Sequence, residues 1–356
     1  MRILRSLPIA TLAMALILCT ACNGPAPKPN AAVQFLEFEG NTMGTTYSVR
    51  IAHPPQEYVD TPNDLALIIE RELDHVDEHM STYRADSELS RFNASDDTNP
   101  LAISDDTAQV FDRALRVSEE TDGAFDVTVG PLVNAWGFGP DGRPETPLSD
   151  EMIATLKMRV GFSKLELDLE KNTIAKDIPD LYCDLSAIAK GWAAERVAAA
   201  LSEAGCTDYM AEVGGEVQTL GLNHDRVPWR IAIETPEEGR REIFAVAGLS
   251  GVGMATSGDY RNFYDVDGKR LSHTIDPRTG RPIDHDLGSV SVVHEACALA
   301  DAYATALMVM GADEGFAWAS EQGLAAFFIT RDQEGALQYR STDTFAPYLA
   351  QVSDPS

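Results

Sequence analysis

The sequence predicts an α+β fold, in which one domain combines mixed or antiparallel sheets with flanking helices. Apolar residues at helical spacing are interleaved with short hairpin patterns. Strands and helices do not alternate strictly, as they would in a doubly wound protein. Residues 33–352 are enough for one large domain, and no linker-like break follows Val33. We therefore expect a single continuous domain over this range.

The N-terminus has the layout of a secretory signal. Arg2 and Arg5 precede a short apolar run, Ile9–Leu18, and small residues follow it. This run is too short to span a bilayer. We therefore expect residues 1–21 to be a signal peptide.

Cys22 is the expected site of lipid attachment. Cleavage after Ala21 would make Cys22 the first residue, as in bacterial lipoproteins, and the proline-containing segment 22–32 fits a tether. Cys19 stands where the lipoprotein box usually has leucine, so a plainly secreted protein and an uncleaved N-terminus stay open as alternatives. The expected location is a lipid anchor on the periplasmic side of the cell membrane. The inner membrane is favoured, but Asn23 is not the retention aspartate, so outer-membrane sorting also stays open.

Charge and cysteine content exclude several classes of protein. The formal charge is −28, and loss of a leader with two arginines makes it −30, which argues against nucleic acid and anionic membrane surfaces as partners. Such a chain would need a local cation to hold an anionic nucleotide. Cys183, Cys206 and Cys297 are irregularly spaced, so they allow at most one disulfide and predict no zinc site.

The first elements are a hairpin and a long helix. Alternating patterns predict strands at Phe35–Glu39 and Thr45–Ile51 with the turn at Gly40-Asn41, and Pro62-Asn63 begins a helix that runs to Met80. Further helices are predicted at 105–121, 149–157, 187–204, 297–310 and 313–322. Further strands are predicted at Tyr209–Val213, Glu216–Leu222, Trp229–Glu234, Phe244–Leu249, Gly288–Val293 and Leu324–Ile329, with a hairpin across 266–269.

Two motifs resemble functional signatures but are better explained structurally. His75 and His79 match the H-x-x-E-H pattern of some zinc peptidases, yet they fall on the flank of an apolar stripe and no third ligand is suggested nearby. The segment 137–142 fits G-x-G-x-x-G, but no strand precedes it and Pro140 begins a turn. We interpret the first as a rim pair and the second as a loop.

The segment Asp184–Gly191 opens a predicted helix that suits a phosphate. Ser186 is the expected N-cap, and Gly205 lies just past the end of the helix. A helix N-terminus offers free N–H groups, and Lys190 adds a positive charge one turn in. An ordinary capped surface helix is equally consistent with this segment.

Two further places carry candidate chemistry. Asp301 and Thr305 are four apart on one helix, so a carboxylate and a hydroxyl, both suited to Mg²⁺, face the same way. A solvated helix face would show the same pair. His273 precedes a Pro- and Gly-bounded turn, where it is a candidate general base or a structural histidine.

Taken together, the motifs resemble the ApbE-type FAD:protein FMN transferases. The matching segments span nearly the whole chain after the leader, and their combination is specific. They are Met43–Thr45, Met80–Tyr83 with Asp86–Asn93, Asp122–Asp126, Asp184–Gly191, Gly214–Glu216, Thr256–Tyr260, His273–Gly280 and Ala300–Thr305.

The resemblance implies a site for FAD, the substrate, in a cleft, with Mg²⁺ as the cofactor. The expected FAD contacts are Met43 and Tyr83 on the flavin, with Ala124, Phe125, Asp126, Asp184, Lys190 and Ile275. The expected metal contacts are the backbone oxygen of Ala187, the side chains of Asp301 and Thr305, and the neighbourhood of Ala304. Ser186, Trp192 and Ala304 depart from the common family pattern, and Ala304 removes a carboxylate that some members offer.

The reaction that the resemblance implies is Mg²⁺-dependent transfer of FMN from FAD to a Thr or Ser hydroxyl of another protein, with release of AMP. His273 would accept the hydroxyl proton. Expected targets carry an Asp-x-x-Ser/Thr-Gly-Ala-Ser/Thr motif, such as subunits of Na⁺-pumping NADH:quinone reductase or related electron-transfer complexes. An FAD pyrophosphatase that releases FMN and AMP, and a non-catalytic FAD-storage lipoprotein, are the alternatives.

Overall fold

The computed structural model describes residues 35–139, 142–143, 148–237, 239, 242–259, 263–266 and 269–353. These described residues belong to one compact unit. Among the helices in the described ranges, none is long and apolar enough to cross a bilayer.

Helices supply one layer of the fold. Those of the described chain are α1 (Gln56–Asp60), α2 (Pro62–Met80), α3 (Glu88–Ala94), α4 (Asp105–Glu120), α5 (Gly130–Ala135), α6 (Asp150–Lys157), α7 (Ala189–Glu203), α8 (Cys297–Met310) and α9 (Ala312–Glu321). Short 3₁₀ turns occur at Phe162–Lys164 and Ala346–Tyr348.

Strands supply the other layers. They are β1 (Phe35–Thr42), β2 (Thr45–Ala52), β3 (Leu101–Ala102), β4 (Leu165–Asp168), β5 (Thr173–Lys176), β6 (Tyr209–Val213), β7 (Glu216–Leu220), β8 (Trp229–Glu234), β9 (Ile243–Leu249), β10 (Gly253–Gly258), β11 (Phe263–Val266), β12 (Lys269–Ser272), β13 (Ile275–Asp276), β14 (Arg281–Pro282), β15 (Leu287–His294), β16 (Ala325–Arg331), β17 (Leu337–Ser341) and β18 (Leu349–Val352).

The main sheet has eight strands in the order β1-β2-β6-β7-β10-β15-β16-β17, and every neighbouring pair is antiparallel. Two three-stranded sheets, β18-β9-β8 and β3-β5-β4, and two hairpins, β11-β12 and β13-β14, are also antiparallel. The sheets of the described residues are therefore antiparallel, with helices packed against them, and the predicted α+β class is confirmed.

The core lies on both faces of the main sheet. On one face, α7 and α8 bury apolar side chains such as Val197 and Leu307 against the strands. On the other face, the sheet β18-β9-β8 packs over Phe327 and Ile329. Because α7 and α8 pack against each other and on the sheet, their N-terminal ends are held in fixed relation.

The first hairpin turns three residues later than predicted. Register pairs Thr42 with Thr45, and Met43 (φ +48°) and Gly44 (φ +71°) form the two-residue turn rather than Gly40-Asn41. Gly40 instead pairs with Tyr47 inside the hairpin, where a Cβ atom would lie 2.5 Å from the Tyr47 ring. Gly40 is thus needed for the close approach of the Tyr47 ring, and the predicted turn at Gly40-Asn41 is wrong.

The start of α7 also differs from the prediction. The helix begins at Ala189 after Ile188, and Ser186 does not cap it. The Ser186 hydroxyl donates to Asp184 Oδ1 at 2.5 Å, and the Ser186 N–H donates to the same oxygen at 2.9 Å. Asp184 therefore forms a local turn with Ser186 that competes with helix capping. Gly205 (φ +79°) does follow the helix end as predicted.

The other predicted elements occur within a few residues of their expected ends. The described positions of the segment 137–142 follow helix α5, not a strand, which confirms the loop interpretation. Asp267 and Gly268, the predicted turn of the later hairpin, lie outside the described residues, although β11 and β12 pair around them. The central strand β10 was not predicted because Gly253–Gly258 lacks β-branched alternation.

Candidate active site

A cleft of about 350 Å³ lies where α7 and α8 begin, beside the end of β10. It brings together most of the predicted site residues, which come from distant parts of the chain. These are Ala124, Phe125, Asp126, Asp184, Ala187, Lys190, His273, Ile275, Asp301 and Thr305. The predicted segments therefore converge on one cleft.

A lysine and two carboxylates form the charged floor of the cleft. Lys190 Nζ lies 2.8 Å from Glu216 Oε1 and 3.9 Å from Asp301 Oδ2. Both acidic side chains are only 5% exposed, whereas that of Lys190 is 28% exposed. The N–H of Gly191 donates to Asp301 Oδ2 at 3.2 Å. One ammonium group thus serves two buried carboxyl groups.

Burial is the largest influence on the pKa values of the two carboxyl groups. It raises the pKa of Glu216 to about 8, although the Lys190 ammonium opposes the shift. It also raises the pKa of Asp301, which Lys190 and the Gly191 N–H only partly offset. Burial alone would lower the pKa of Lys190, but the charges of Asp301 and Glu216 outweigh burial and raise it. The lysine therefore stays protonated beside two carboxyl groups that are costly to ionise.

The oxygen atoms near Asp301 fit a divalent cation. Thr305 is one turn further along α8, and its Oγ1 lies 3.4 Å from the Ser257 hydroxyl. Glu216 Oε2 is buried with no hydrogen-bond partner among the described residues. Two carboxylates with one ammonium leave a negative charge when all three are ionised, and these hard oxygens are the donors that Mg²⁺ prefers.

A protein-only metal cage is not formed in the part of the chain that the structure describes. No group of three or more His, Cys, Asp and Glu side chains there is arranged to hold a metal ion. A cation beside Asp301 would therefore draw on hydroxyl, main-chain and ligand oxygens. This is how Mg²⁺ is commonly held together with substrate phosphates.

Asp126 organises the loop that forms one wall of the cleft. Its Oδ1 accepts hydrogen bonds from the Thr128 N–H (2.8 Å) and hydroxyl (2.6 Å), and its Oδ2 accepts from the Phe162 N–H (2.9 Å). Burial raises the pKa of Asp126 despite these bonds. The Asp184 N–H donates to the Val127 oxygen at 2.7 Å, which joins this loop to the segment before α7.

His273 follows β12 and faces the cleft beside an aromatic cluster. The Phe138 ring lies 6.3 Å from the His273 ring in an edge-on arrangement and 5.0 Å from the Tyr264 ring. The Tyr264 hydroxyl donates to the Trp136 oxygen at 2.6 Å, and the Trp136 indole donates to the Gly280 oxygen at 2.9 Å. These bonds tie the residues around His273 to the turn that follows it.

Some predicted site residues lie outside the cleft. Met43 is at the tip of the first hairpin, where it packs against the apolar core. Tyr83 is 74% exposed, and Ala304, on α8, is completely buried in the apolar core. Met43, Tyr83 and Ala304 do not line the cleft. Cys22 lies outside the described residues.

Glu216 and Ser257 were not predicted as site residues, although both lie in segments that carry the family resemblance. The signal for Glu216 was present. A carboxylate directly follows Gly214-Gly215 and is the first residue of a predicted strand. Only the folded chain shows that this carboxylate meets Lys190.

Other candidate residues have structural surroundings. His75 Nε2 lies 3.1 Å from Asp106 Oδ2, and His79 Nδ1 lies 2.6 Å from the His75 oxygen, so both rings have local partners. Cys183, Cys206 and Cys297 are buried free thiols. Burial raises the pKa of each of the three thiols, which makes them unreactive.

The fold and the cleft define an α+β protein whose cleft, at the starts of α7 and α8, is lined by a lysine, two buried carboxyl groups and a histidine. The chain belongs to the ApbE family, whose model matches residues 43–328. The family prediction is thus confirmed.

Relatives and solved structures resemble the chain over most of its length. The FAD:protein FMN transferase of Vibrio cholerae is 44% identical over 335 residues, which cover 94% of this chain and 97% of the relative. The Escherichia coli K12 protein of the same name is 40% identical, over 91% of this chain and 92% of the relative. The structure of the flavin transferase ApbE from V. cholerae (TM-score 0.80, 43% identity) covers 89% of this chain and 100% of that one. The apo flavinyl transferase ApbE of Pseudomonas stutzeri (TM-score 0.80, 37% identity) covers 90% and 98%.

Proposed function

We propose that the protein is an FAD:protein FMN transferase that attaches the FMN part of FAD to a Thr or Ser hydroxyl of a target protein and releases AMP. The relatives of this name, similar over most of both chains, support the transfer of a flavin to proteins. The observation that supports the chemistry most directly is the meeting of His273, Lys190 and Asp301 in one cleft.

The cleft residues have complementary roles in this reaction. His273 accepts the proton of the target hydroxyl while the hydroxyl oxygen forms a bond to the FMN-side phosphorus. The bond between that phosphorus and the bridging oxygen breaks, and AMP leaves. Lys190 lies where its charge stabilises the diphosphate, while the loops around Ala124–Asp126 and Asp184 form the walls.

Asp301, Thr305 and the backbone oxygen of Ala187 would hold Mg²⁺, which neutralises charge on the diphosphate when bound. The surplus of buried carboxylate supports this assignment. The flavin would lie toward the side where Phe125, Ile275 and Val129 offer apolar surface. Met43 and Tyr83 would contribute only if the bound flavin extends beyond the cleft.

We further propose that Cys22 carries a lipid that anchors the domain on the periplasmic side of the inner membrane through the tether 22–32. Expected targets are membrane subunits of Na⁺-pumping or related electron-transfer complexes with the Asp-x-x-Ser/Thr-Gly-Ala-Ser/Thr motif. Fractionation of cells expressing the Cys22→Ala variant tests the anchor. Activity that stays in the membrane fraction would contradict it.

The reaction is tested with purified protein, FAD, Mg²⁺ and a protein carrying the target motif. Covalent flavin fluorescence on a denaturing gel, with an equal amount of AMP, supports the transferase. AMP and free FMN without a fluorescent band indicate a pyrophosphatase, and the absence of both products indicates storage.

Two variants test the assigned roles. His273→Ala should slow transfer more than hydrolysis, because water is less dependent than a protein hydroxyl on that base. Asp301→Asn should abolish metal-dependent activity while FAD binding largely persists. Equal rates for wild type and Asp301→Asn, at every Mg²⁺ concentration, would refute the metal assignment.

A further inference from the structure

Glu216 is a buried acidic residue of the cleft to which the proposed reaction assigns no role. It is the first residue of β7 and follows the Gly214-Gly215 turn. Its Oε1 lies 2.8 Å from Lys190 Nζ, and its Oε2 makes no hydrogen bond among the described residues. Burying a carboxylate with one oxygen unpaired costs free energy of folding, so the presence of Glu216 here needs an explanation.

Lys190 is shared unequally between two carboxylates. Its ammonium is in direct contact with Glu216 but stands 3.9 Å from Asp301 Oδ2. Asp301 Oδ2 also accepts the Gly191 N–H at 3.2 Å. Both neighbours of the Asp301 carboxylate thus meet it at Oδ2.

The backbone around Lys190 is built to keep this arrangement. A Cβ atom on Gly214 (φ +65°) would lie 2.9 Å from Lys190 Cδ, so only glycine lets the lysine stem lie along the turn. A Cβ atom on Gly191 would lie 2.5 Å from the Cys297 oxygen, so only glycine lets α7 approach α8 this closely. The two glycines place Lys190 beside Glu216 and place the Gly191 N–H on Asp301.

Electrostatics show what would follow if Glu216 were absent. Lys190 would have one anionic partner left and would close the gap to Asp301, forming a direct ion pair. An ammonium on Asp301 competes with a metal ion for the same oxygens. It also repels the metal ion, because both groups carry positive charge.

We propose that Glu216 is a positioning residue that holds Lys190 away from Asp301 and so keeps the Asp301 carboxylate available to a divalent cation. This inference rests on the proposed metal site. It differs from a direct role for Glu216 as a metal ligand, because Glu216 here acts only through Lys190.

The test is a double-mutant cycle on Mn²⁺ affinity, measured by electron paramagnetic resonance with the purified full chain and Mn²⁺ alone. Glu216→Met removes both oxygens at similar volume, and we expect it to raise the Kd for Mn²⁺ about tenfold, equivalent to about 1.4 kcal/mol. In a Lys190→Met background the same change should alter the Kd by less than about threefold, because the lysine that it releases is gone.

Each outcome of the cycle decides the matter. A tenfold loss that persists in the Lys190→Met background would show that Glu216 binds the metal directly and would overturn the inference. An unchanged Kd in Glu216→Met would also overturn it. Asp301→Asn tests the metal site itself. If its Kd equals that of wild type, both the site and the inference fail, whereas a loss confined to Asp301→Asn refutes the inference alone.

Two controls separate positioning from general damage. Glu212→Gln removes a carboxylate from the same β6-β7 hairpin, where Glu212 lies opposite Val217, and should leave the Kd for Mn²⁺ unchanged. Glu216→Asp keeps a carboxylate and should restore part of the affinity. Urea unfolding of every variant identifies any that fails to fold.

Discussion

Lys190 and Lys176 are both shielded from solvent, and the chain treats them in opposite ways. Lys190 is the second residue of α7 and lines the cleft, where the charges of Asp301 and Glu216 raise its pKa. Lys176 ends β5 and is only 2% exposed, and burial lowers its pKa. The first lysine is held charged beside anions, while the second is held mainly by neutral groups.

The contacts of Lys176 explain why a charge-bearing residue is tolerated there. Its Nζ donates to the Phe92 oxygen at 3.1 Å and to the Leu181 oxygen at 3.4 Å, and it lies 5.0 Å from the centre of the Phe92 ring. Asn93 and Cys183 exchange two hydrogen bonds of 2.8 Å in the same place. Lys176 therefore fastens the segment that leads to Asp184, whereas Lys190 faces the cleft.

The comparison teaches that burial alone does not mark a functional lysine. Lys190 differs because two carboxyl groups share its single charge and because it opens to a cleft. What distinguishes Lys176 is that its partners are main-chain oxygens that need a donor. The following predictions test this difference, beginning with the largest effect.

Lys190→Met should reduce the rate of AMP release about 100-fold or more, as loss of a charge that stabilises a transition state typically does. It should also lower the free energy of unfolding by about 3 kcal/mol without metal, because two buried carboxylates lose their cation. Initial rates and urea unfolding in a chelator measure the two effects. A variant with the wild-type rate would remove Lys190 from the chemistry.

Lys176→Met should lower the free energy of unfolding by about 2 kcal/mol, because two buried carbonyl oxygens lose their donor. The rate of AMP release per folded molecule should change little. Urea unfolding and rates at saturating FAD measure this. A loss of rate as large as that of Lys190→Met would erase the distinction between the two sites.

The pH dependence of stability should reveal the lowered pKa of Lys176. Because burial lowers its pKa below the ordinary value of 10.5, the folded protein releases this proton more readily than the unfolded chain. Its contribution is complete above pH 10.5 and is lost as the pH falls through the folded pKa. The unfolding free energy of wild type relative to Lys176→Met should therefore rise with pH toward 10.5. A difference that is flat or falls would show that the pKa is not lowered.

Asn93→Ala should have the smallest effect. We expect the free energy of unfolding to fall by about 1 kcal/mol, because the two hydrogen bonds between the Asn93 side chain and the Cys183 backbone are lost. The segment before Asp184 would be held less firmly, so FAD affinity should fall a few-fold while the Kd for Mn²⁺ stays constant. Fluorescence titration with FAD measures the change. Asn93→Asp keeps one of the two bonds and serves as the graded control.

The sequence by itself determined the fold class, the long helices and most strands, because apolar periodicity and end signals are local properties. It also determined the family, since its motifs are combinations of nearby residues. Errors occurred where a local signal had two meanings. Gly40 permits close approach of Tyr47 rather than a turn, and Ser186 bonds to Asp184 rather than capping α7.

Only the tertiary structure decided which residues share the cleft. Glu216, Lys190 and Asp301 come from β7, α7 and α8, and their meeting depends on how these elements pack. The same packing left Tyr83 exposed and buried Ala304 in the core. Charge sharing among distant residues depends on distances of a few ångströms, which sequence spacing does not encode. For that reason the role of Glu216 became visible only in the folded chain.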